Sequence, residues 1–255
     1  ATKVDAYTVF TNLPAAGAMR AYGIPQVSFA IESSVEDAAK ALGIDSVVLR
    51  QMNMMPVGYV DAFSKNCNYF DSLNQCIAKG KAYMDYDRLH AAYANQTGPI
   101  RRGVGMAIFW YNTAVWPISL EASSCRMLMN QDGSVQLEIA ETEIGQGADT
   151  VFAQMVADTV GVPFEKVHVL TVQDTDVTPF GTSAYASRQT YVAGFAIHNI
   201  GTQLKNKVLK YAEYMTGKAA DTLDLVNGIV IEKESKEEVI LLEEFATSAL
   251  YSLDQ

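Results

Sequence analysis

An α+β fold in two parts is what this sequence predicts, and three observations predict it. Apolar residues recur at helical intervals through most of residues 25–93. The period turns extended after Arg101-Arg102. Strands and helices then follow one another without the regular βαβ alternation of a doubly wound sheet. With 255 residues, 49% of them hydrophobic, the chain can bury a core in one large or two modest domains. Gln96-Thr97-Gly98-Pro99 is the strongest interior punctuation, so the parts are expected at 1–98 and 99–255.

Val4 to Thr11 alternates apolar and polar residues as a strand does and leads into a loop of small residues. A helix is expected from Pro25 to about Leu42, with Val27, Phe29, Ala30, Val35, Ala38, Ala39 and Leu42 as its apolar stripe and Gly43 as its stop. Ser46 to Met52 reads as a short helix, and Met54 to Gly58 as a loop. One helix from about Asp71 to Tyr93 closes the first part. Extended structure follows over Gly103 to Tyr111, Ser124 to Met129 and Ser134 to Ile139. Asp132-Gly133 between the last two runs is a hairpin signal. A helix over Gly147 to Val160 stops at Gly161-Val162-Pro163, Lys166 to Val172 is a strand, and a long helix from Ser187 or Arg188 to Met215 ends at Gly217. Strands at Gly228 to Glu232 and Glu238 to Leu242 and a short helix over Leu242 to Leu250 complete the chain.

Composition excludes several classes. A net charge of −10 without a basic face argues against nucleic acid. The apolar runs fall short of a membrane span and no signal segment precedes them, so a cytoplasmic location is expected. Cys67, Cys76 and Cys125 are odd in number and lack metal-site spacing, so they are expected to be reduced and structural. His90, His168 and His198 stand in separate elements with no acidic or cysteine partner at ligand spacing, and no metal site is expected. Gly103-Val104-Gly105 lacks the third glycine and the helix of a dinucleotide fingerprint. No Ser-His-Asp, Cys-His or His-Glu-x-x-His arrangement is present.

Three loop-to-helix junctions carry the candidate chemistry. In Gly17-Ala18-Met19-Arg20-Ala21-Tyr22-Gly23-Ile24-Pro25, one arginine sits among small residues before a proline-started helix. There the backbone can approach a ligand while five guanidinium donors point at a carboxylate, a phosphate or a developing oxyanion. A structural salt bridge is the plainer role for Arg20. Gly145-Gln146-Gly147 pairs side-chain-free backbone with an amide that donates and accepts. It suits a phosphate or a heterocycle edge, or else is a turn whose glycines only satisfy geometry. In the third, Ser187 is the candidate N-cap, with Arg188 adding charge and Gln189 and Thr190 in the first turn. It suits a second anionic group, or else is a capped surface helix. Tyr22, Trp116 and Tyr185 could wall an aromatic substrate or belong to the core. The three junctions suggest one anionic cofactor between them.

Ala16 to Gln26, then Thr142 to Thr150, then Asp174 to Pro179 running on to Ala186-Ser187-Arg188-Gln189, resemble in order and interval the molybdenum-binding subunit of the xanthine dehydrogenase and aldehyde oxidase family, the bacterial xanthine dehydrogenase type above all. The resemblance covers essentially the whole chain and implies a partial, two-part molybdopterin-binding domain. It implies a molybdopterin cofactor with molybdenum, in the cytosine dinucleotide form, and hydroxylation of a purine, another N-heterocycle or an aldehyde with oxygen from water. By position it implies that Ala18, Met19 and Arg20 pass close to the metal, and that Gly145, Gln146 and Gly147 contact the pterin. Tyr185, Ala186, Ser187, Arg188, Gln189 and Thr190 would hold the pterin and its phosphates. Arg20 would orient substrate and act catalytically, with Tyr22 and Trp116 as opposed walls. Met19 stands where many relatives have phenylalanine. The family's catalytic glutamate and an upstream glutamine loop have no counterpart here. The expectation is therefore a fragment or one piece of a split subunit, inactive alone, whose partners are the rest of the molybdenum subunit and iron–sulfur and FAD subunits or domains. The alternative is a non-catalytic module that keeps the fold for binding or assembly.

Overall fold

The computed structural model describes residues 3–15, 17, 19–61, 67–111, 113–115, 121–170 and 172–251. The chain forms two compact units, Ala1–Tyr111 and Asn112–Gln255.

The first unit holds α1 (Ile24–Leu42), α2 (Ser46–Met52), α3 (Ser72–Met84) and α4 (Tyr86–Tyr93). Gly43 ends α1 in the left-handed conformation, as its position suggests, and the Asp45 carboxylate caps α2 by accepting from the Val47 and Val48 amides. The single helix expected over 71–93 is two. Asp85 adopts φ 51°, a left-handed conformation that a short polar side chain tolerates, and the chain turns there so that Tyr86 enters the core. Two other expectations change. Val4 to Thr11 is extended but joins no ladder among the described residues, and Val4, Tyr7, Val9 and Phe10 are exposed, because alternation makes a strand only where a partner strand accepts its backbone bonds. Of the α1 stripe only Ala39 is buried, with Phe29 and Leu42 exposed.

Residues 103–109 pack against the helical unit rather than with the following strands. Val104, Met106 and Ile108 cover the cluster of Val47, Ile77 and Tyr86, and Glu32 accepts both Arg50 Nε at 2.7 Å and the Ile108 amide at 3.0 Å. The compact division therefore falls at Tyr111, beyond the Gln96–Pro99 punctuation.

In the second unit β1 (Cys125–Met129) and β2 (Val135–Ile139) form the expected antiparallel hairpin, with Gly133 at φ 76° in the turn and Cys125 opposite Ile139. After α5 (Ala148–Val156) and a π-helical turn at Ala157–Gly161, β3 (Val167–Leu170) returns parallel to β2, giving the order β1-β2-β3. The 28-residue α6 (Gln189–Thr216) leads to β4 (Leu223–Val226), β5 (Ile229–Glu232) and β6 (Glu238–Leu241), an antiparallel sheet followed by α7 (Leu242–Tyr251). Strand β4 is an addition to the sequence expectation; its signals are the alternation of buried Leu223 and Leu225 and the Asn227-Gly228 turn that follows. Val135, Leu137, Ile139, Phe152, Val156 and Ile197 are fully buried and join the sheet to α5 and α6. Gly161 is obligatory: at φ 93° a Cβ would stand 1.9 Å from the Leu225 carbonyl oxygen.

Candidate functional site

The first junction belongs to the first unit and stores local strain. Ala21, Tyr22 and Gly23 lie consecutively at φ 69°, 54° and 92°, closed by hydrogen bonds from the Tyr22 amide to the Met19 carbonyl and from the Ile24 amide to the Ala21 carbonyl. Left-handed conformations at non-glycine residues cost energy and gather where a site needs a particular backbone path. No side chain caps α1 at Gly23. Met19, Arg20 and Tyr22 are exposed, and among the described residues Arg20 makes no ion pair. Ala18 and Trp116 lie outside the described residues.

The second and third junctions share the second unit, and the structure brings them together. Gln146 Nε2 donates to Gln189 Oε1 at 2.7 Å, and both side-chain amides donate to the Thr142 carbonyl at 3.0 Å. The Thr142 and Ser183 hydroxyls lie 2.8 Å apart. Two turns separated in sequence are thus one hydrogen-bonded surface, with the exposed Ser187 and Thr190 on its third-junction side.

The free amide cradle expected at Gly145-Gln146-Gly147 is engaged from within. Glu143 folds back so that its carboxylate accepts from the Gly145 amide at 2.6 Å, the Gly147 amide at 3.2 Å and the Asp149 amide at 3.2 Å, while Gln146 Oε1 accepts from the Ile144 amide. Desolvation alone would raise the Glu143 carboxyl, but the Asp149, Gly145, Gly147 and Ala148 amides outweigh it and hold the carboxyl below its ordinary range. A carboxylate at the N-terminus of α5 does what a bound anion would do there. What remains for a guest is neutral: a glycine backbone at φ 94° and 81°, open above both Cα atoms, and the edge of Gln146. Both hydrogens of the Gln146 side-chain amide are spent on Gln189 and Thr142, so that side chain offers a guest acceptor capacity on Oε1 and no positive charge for a bare phosphate.

Arg188 departs most from its sequence reading. Rather than adding charge to an exposed cap, it is fully buried and is itself the cap position of α6, so Ser187 at φ 55° lies outside the helix and does not cap it. Its guanidinium donates from Nε to Glu121 Oε2, from Nη1 to the Ser183 carbonyl at 3.1 Å and from Nη2 to the Ala122 carbonyl at 2.9 Å. It also lies over the Tyr185 ring at 5.3 Å. Buried arginine requires such partners. The arginine therefore shapes the Ser183–Ser187 loop from beneath, while the Ala114 amide holds the Ala186 carbonyl from the side at 2.7 Å.

Sequence reasoning missed Glu121 and Glu141. Both face Arg188, with Glu141 Oε1 at 3.6 Å from Nη1. A signal for Glu141 existed: β2 buries Val135, Leu137 and Ile139, and continuing that alternation puts residue 141 on the inward side. Glu121 offers no comparable pattern. Among the described residues no group of three or more His, Cys, Asp or Glu could hold a metal ion, and no helix is long and apolar enough to cross a membrane.

Comparisons with known proteins bear on the same segments. Residues 79–254 match one family model described as a molybdopterin cofactor-binding domain, and residues 1–54 match a second with the same description. The chain is 46% identical over 245 residues to the xanthine dehydrogenase molybdenum-binding subunit of Escherichia coli O157:H7, covering 96% of this chain and 33% of that protein. It is 26% identical over 214 residues to xanthine dehydrogenase of Drosophila pseudoobscura pseudoobscura, covering 83% of this chain and 16% of that one. The chain thus spans about a third or less of the length of these relatives. In fold it is similar to a Cu,Mo-CO dehydrogenase, with TM-score 0.67, 21% identity and coverage of 90% of this chain and 31% of that one. Quinoline 2-oxidoreductase from Pseudomonas putida 86 gives TM-score 0.64 at 20% identity, covering 88% and 30%.

Proposed function

Since the chain belongs to the molybdopterin cofactor-binding domain family, we propose that it is the part of a xanthine dehydrogenase-like molybdenum hydroxylase that holds molybdopterin and forms one side of the pocket for a purine or other N-heterocycle. The observation that carries this reading is the Gln146–Gln189 hydrogen bond, which joins the two turns that the resemblance assigns to the cofactor. When bound, the cofactor supplies two-electron oxidation of a ring carbon with an oxygen atom from water. Gly145, Gln146 and Gly147 line the pterin edge in this reading, and Tyr185 to Thr190 hold the remainder, with a cytosine dinucleotide tail as the proposed form. Arg188 acts from beneath that loop, because it is fully buried and donates to Glu121 and two carbonyls.

Arg20 serves the substrate. An exposed guanidinium on a strained, small-residue loop can meet negative charge gathering on a heterocycle's oxygen or nitrogen, and an oriented cation there lowers the energy of the charged transition state. Tyr22 supplies one flat wall, and Trp116 is proposed as the other. The base, the electron-carrying iron–sulfur clusters and FAD are proposed to come from polypeptide beyond these residues, so the chain alone is inactive. A cytoplasmic location is part of the proposal.

The test is expression of the complete molybdenum subunit with its partners, followed by metal analysis, pterin release and xanthine-dependent dye reduction. Stoichiometric molybdenum and pterin with dye reduction support the reading. A complete assembly that carries no molybdopterin refutes it and leaves the non-catalytic module.

A further inference from the structure

Beneath the Ser183–Ser187 loop lies a buried group that the cofactor reading does not use. The Glu141 carboxylate is fully enclosed, and neither of its oxygens has a hydrogen-bond partner among the described residues. It lies 3.6 Å from Arg188 Nη1, whose positive charge is already matched by Glu121. The space is shaped closely: a Cβ on Gly181 would stand 3.0 Å from Glu141 Oε1 and 3.3 Å from Ala140. The loop above carries Ser183, Ala186 and Ser187 at φ 67°, 50° and 55°, a backbone path that persists only where its surroundings enforce it.

An ionised carboxylate without donors in such a place would cost far more than a neutral acid, and one arginine facing two carboxylates balances only one of them. We propose that Glu141, as a neutral acid, is a positioning residue that keeps Arg188 seated between Glu121 and the Ser183 carbonyl, so that the Ser183–Ser187 loop is held in its molybdopterin-binding shape. The inference rests on the cofactor reading above.

Among the described residues the charged group facing Glu141 is Arg188, with Glu121 behind it; Ser123 and Gly181 beside it are neutral. Burial pushes the Glu141 carboxyl up, and Ser123 and Arg188 offset this only in part. Rising pH therefore ionises Glu141 within the folded protein. The new charge draws Nη1 from the Ser183 carbonyl, and the loop loosens.

The complete subunit, assembled with its partners, is compared as wild type, Glu141→Gln and Glu141→Ala for molybdenum and pterin content, for pterin release against pH, and for hydrogen exchange at the 183–188 amides. Glutamine, isosteric with the neutral acid, keeps cofactor at the wild-type level and releases it at a rate flat with pH. Wild-type release quickens as pH rises. Alanine loses about fivefold in retention, about 1 kcal/mol, because the emptied space no longer backs the Arg188 guanidinium, with faster exchange confined to the loop. The proposal is overturned if alanine retains cofactor as wild type does, if glutamine fails alongside alanine, or if glutamine shares the wild-type pH slope. Should the alanine variant not assemble, the glutamine comparison decides alone. A wild-type assembly without pterin overturns the cofactor reading and this inference together, whereas wild type and both variants equally loaded overturn only the role of Glu141.

Discussion

Gln146 and Gln189 stand 43 positions apart and share a 2.7 Å hydrogen bond, each also donating to the Thr142 carbonyl. Their amides turn the entry to α5 and the first residue of α6 into a single surface. Because both bonds to Thr142 run to one acceptor, loss of either amide leaves the other only partly held.

This linkage predicts a non-additive pair. In the complete subunit, Gln146→Ala lowers molybdopterin retention by about fivefold, the loss of roughly one hydrogen bond, before it affects turnover per loaded site. Gln189→Ala does the same, and the double variant loses less than the product of the two. Pterin content per protein, measured across the four members of the cycle, checks it; independent effects would mean that the two amides do not act as one surface.

Arg20 predicts the opposite division. It is exposed and, among the described residues, without an ion pair, so Arg20→Ala leaves folding and cofactor content near wild type. Turnover of a heterocycle falls about 100- to 1,000-fold, the range for removing an oriented donor to transition-state charge. Steady-state kinetics normalised to molybdenum separate the two, and parallel loss of metal and turnover would make the arginine structural.

Phe152 tests the core. It is fully buried between the first sheet and α6, and Phe152→Ala is expected to cost about 3–5 kcal/mol through lost transfer energy and a cavity. Urea unfolding reads this as a lower midpoint at unchanged slope. A loss under about 1 kcal/mol would mean the site collapses freely around the deletion.

Glu143 gives an acid-side signature. Its folded-state carboxyl is held below the ordinary value, so the unfolded chain takes up a proton first as pH falls. The stability it contributes is complete above the ordinary glutamate range and is lost as pH descends through the lowered folded value. Thermal midpoints from pH 7 downward should fall less steeply in Glu143→Gln than in wild type. Identical slopes would show that the α5 amides do not hold this carboxylate in solution.

The three junctions, the Asp132-Gly133 hairpin, the glycine stops at Gly43, Gly161 and Gly217 and most helix spans were readable from the chain, because caps, turns and periodicity depend on residues a few positions apart. What tertiary structure alone decided concerns partners. Val4 to Thr11 has the letters of a strand but no ladder among the described residues, and Asp85 breaks a continuous helical period so that Tyr86 can reach Val47 and Ile77. Glu143 could be seen beside the Gly-Gln-Gly turn, yet not that it would fill the turn's own amides. Arg188 reads as an exposed charge until Glu121 and Glu141, 67 and 47 positions away, surround it. Local sequence sets which donors and acceptors a segment carries; which of them meet depends on the packing of distant segments, where the cost of leaving a buried charge unpaired selects the arrangement.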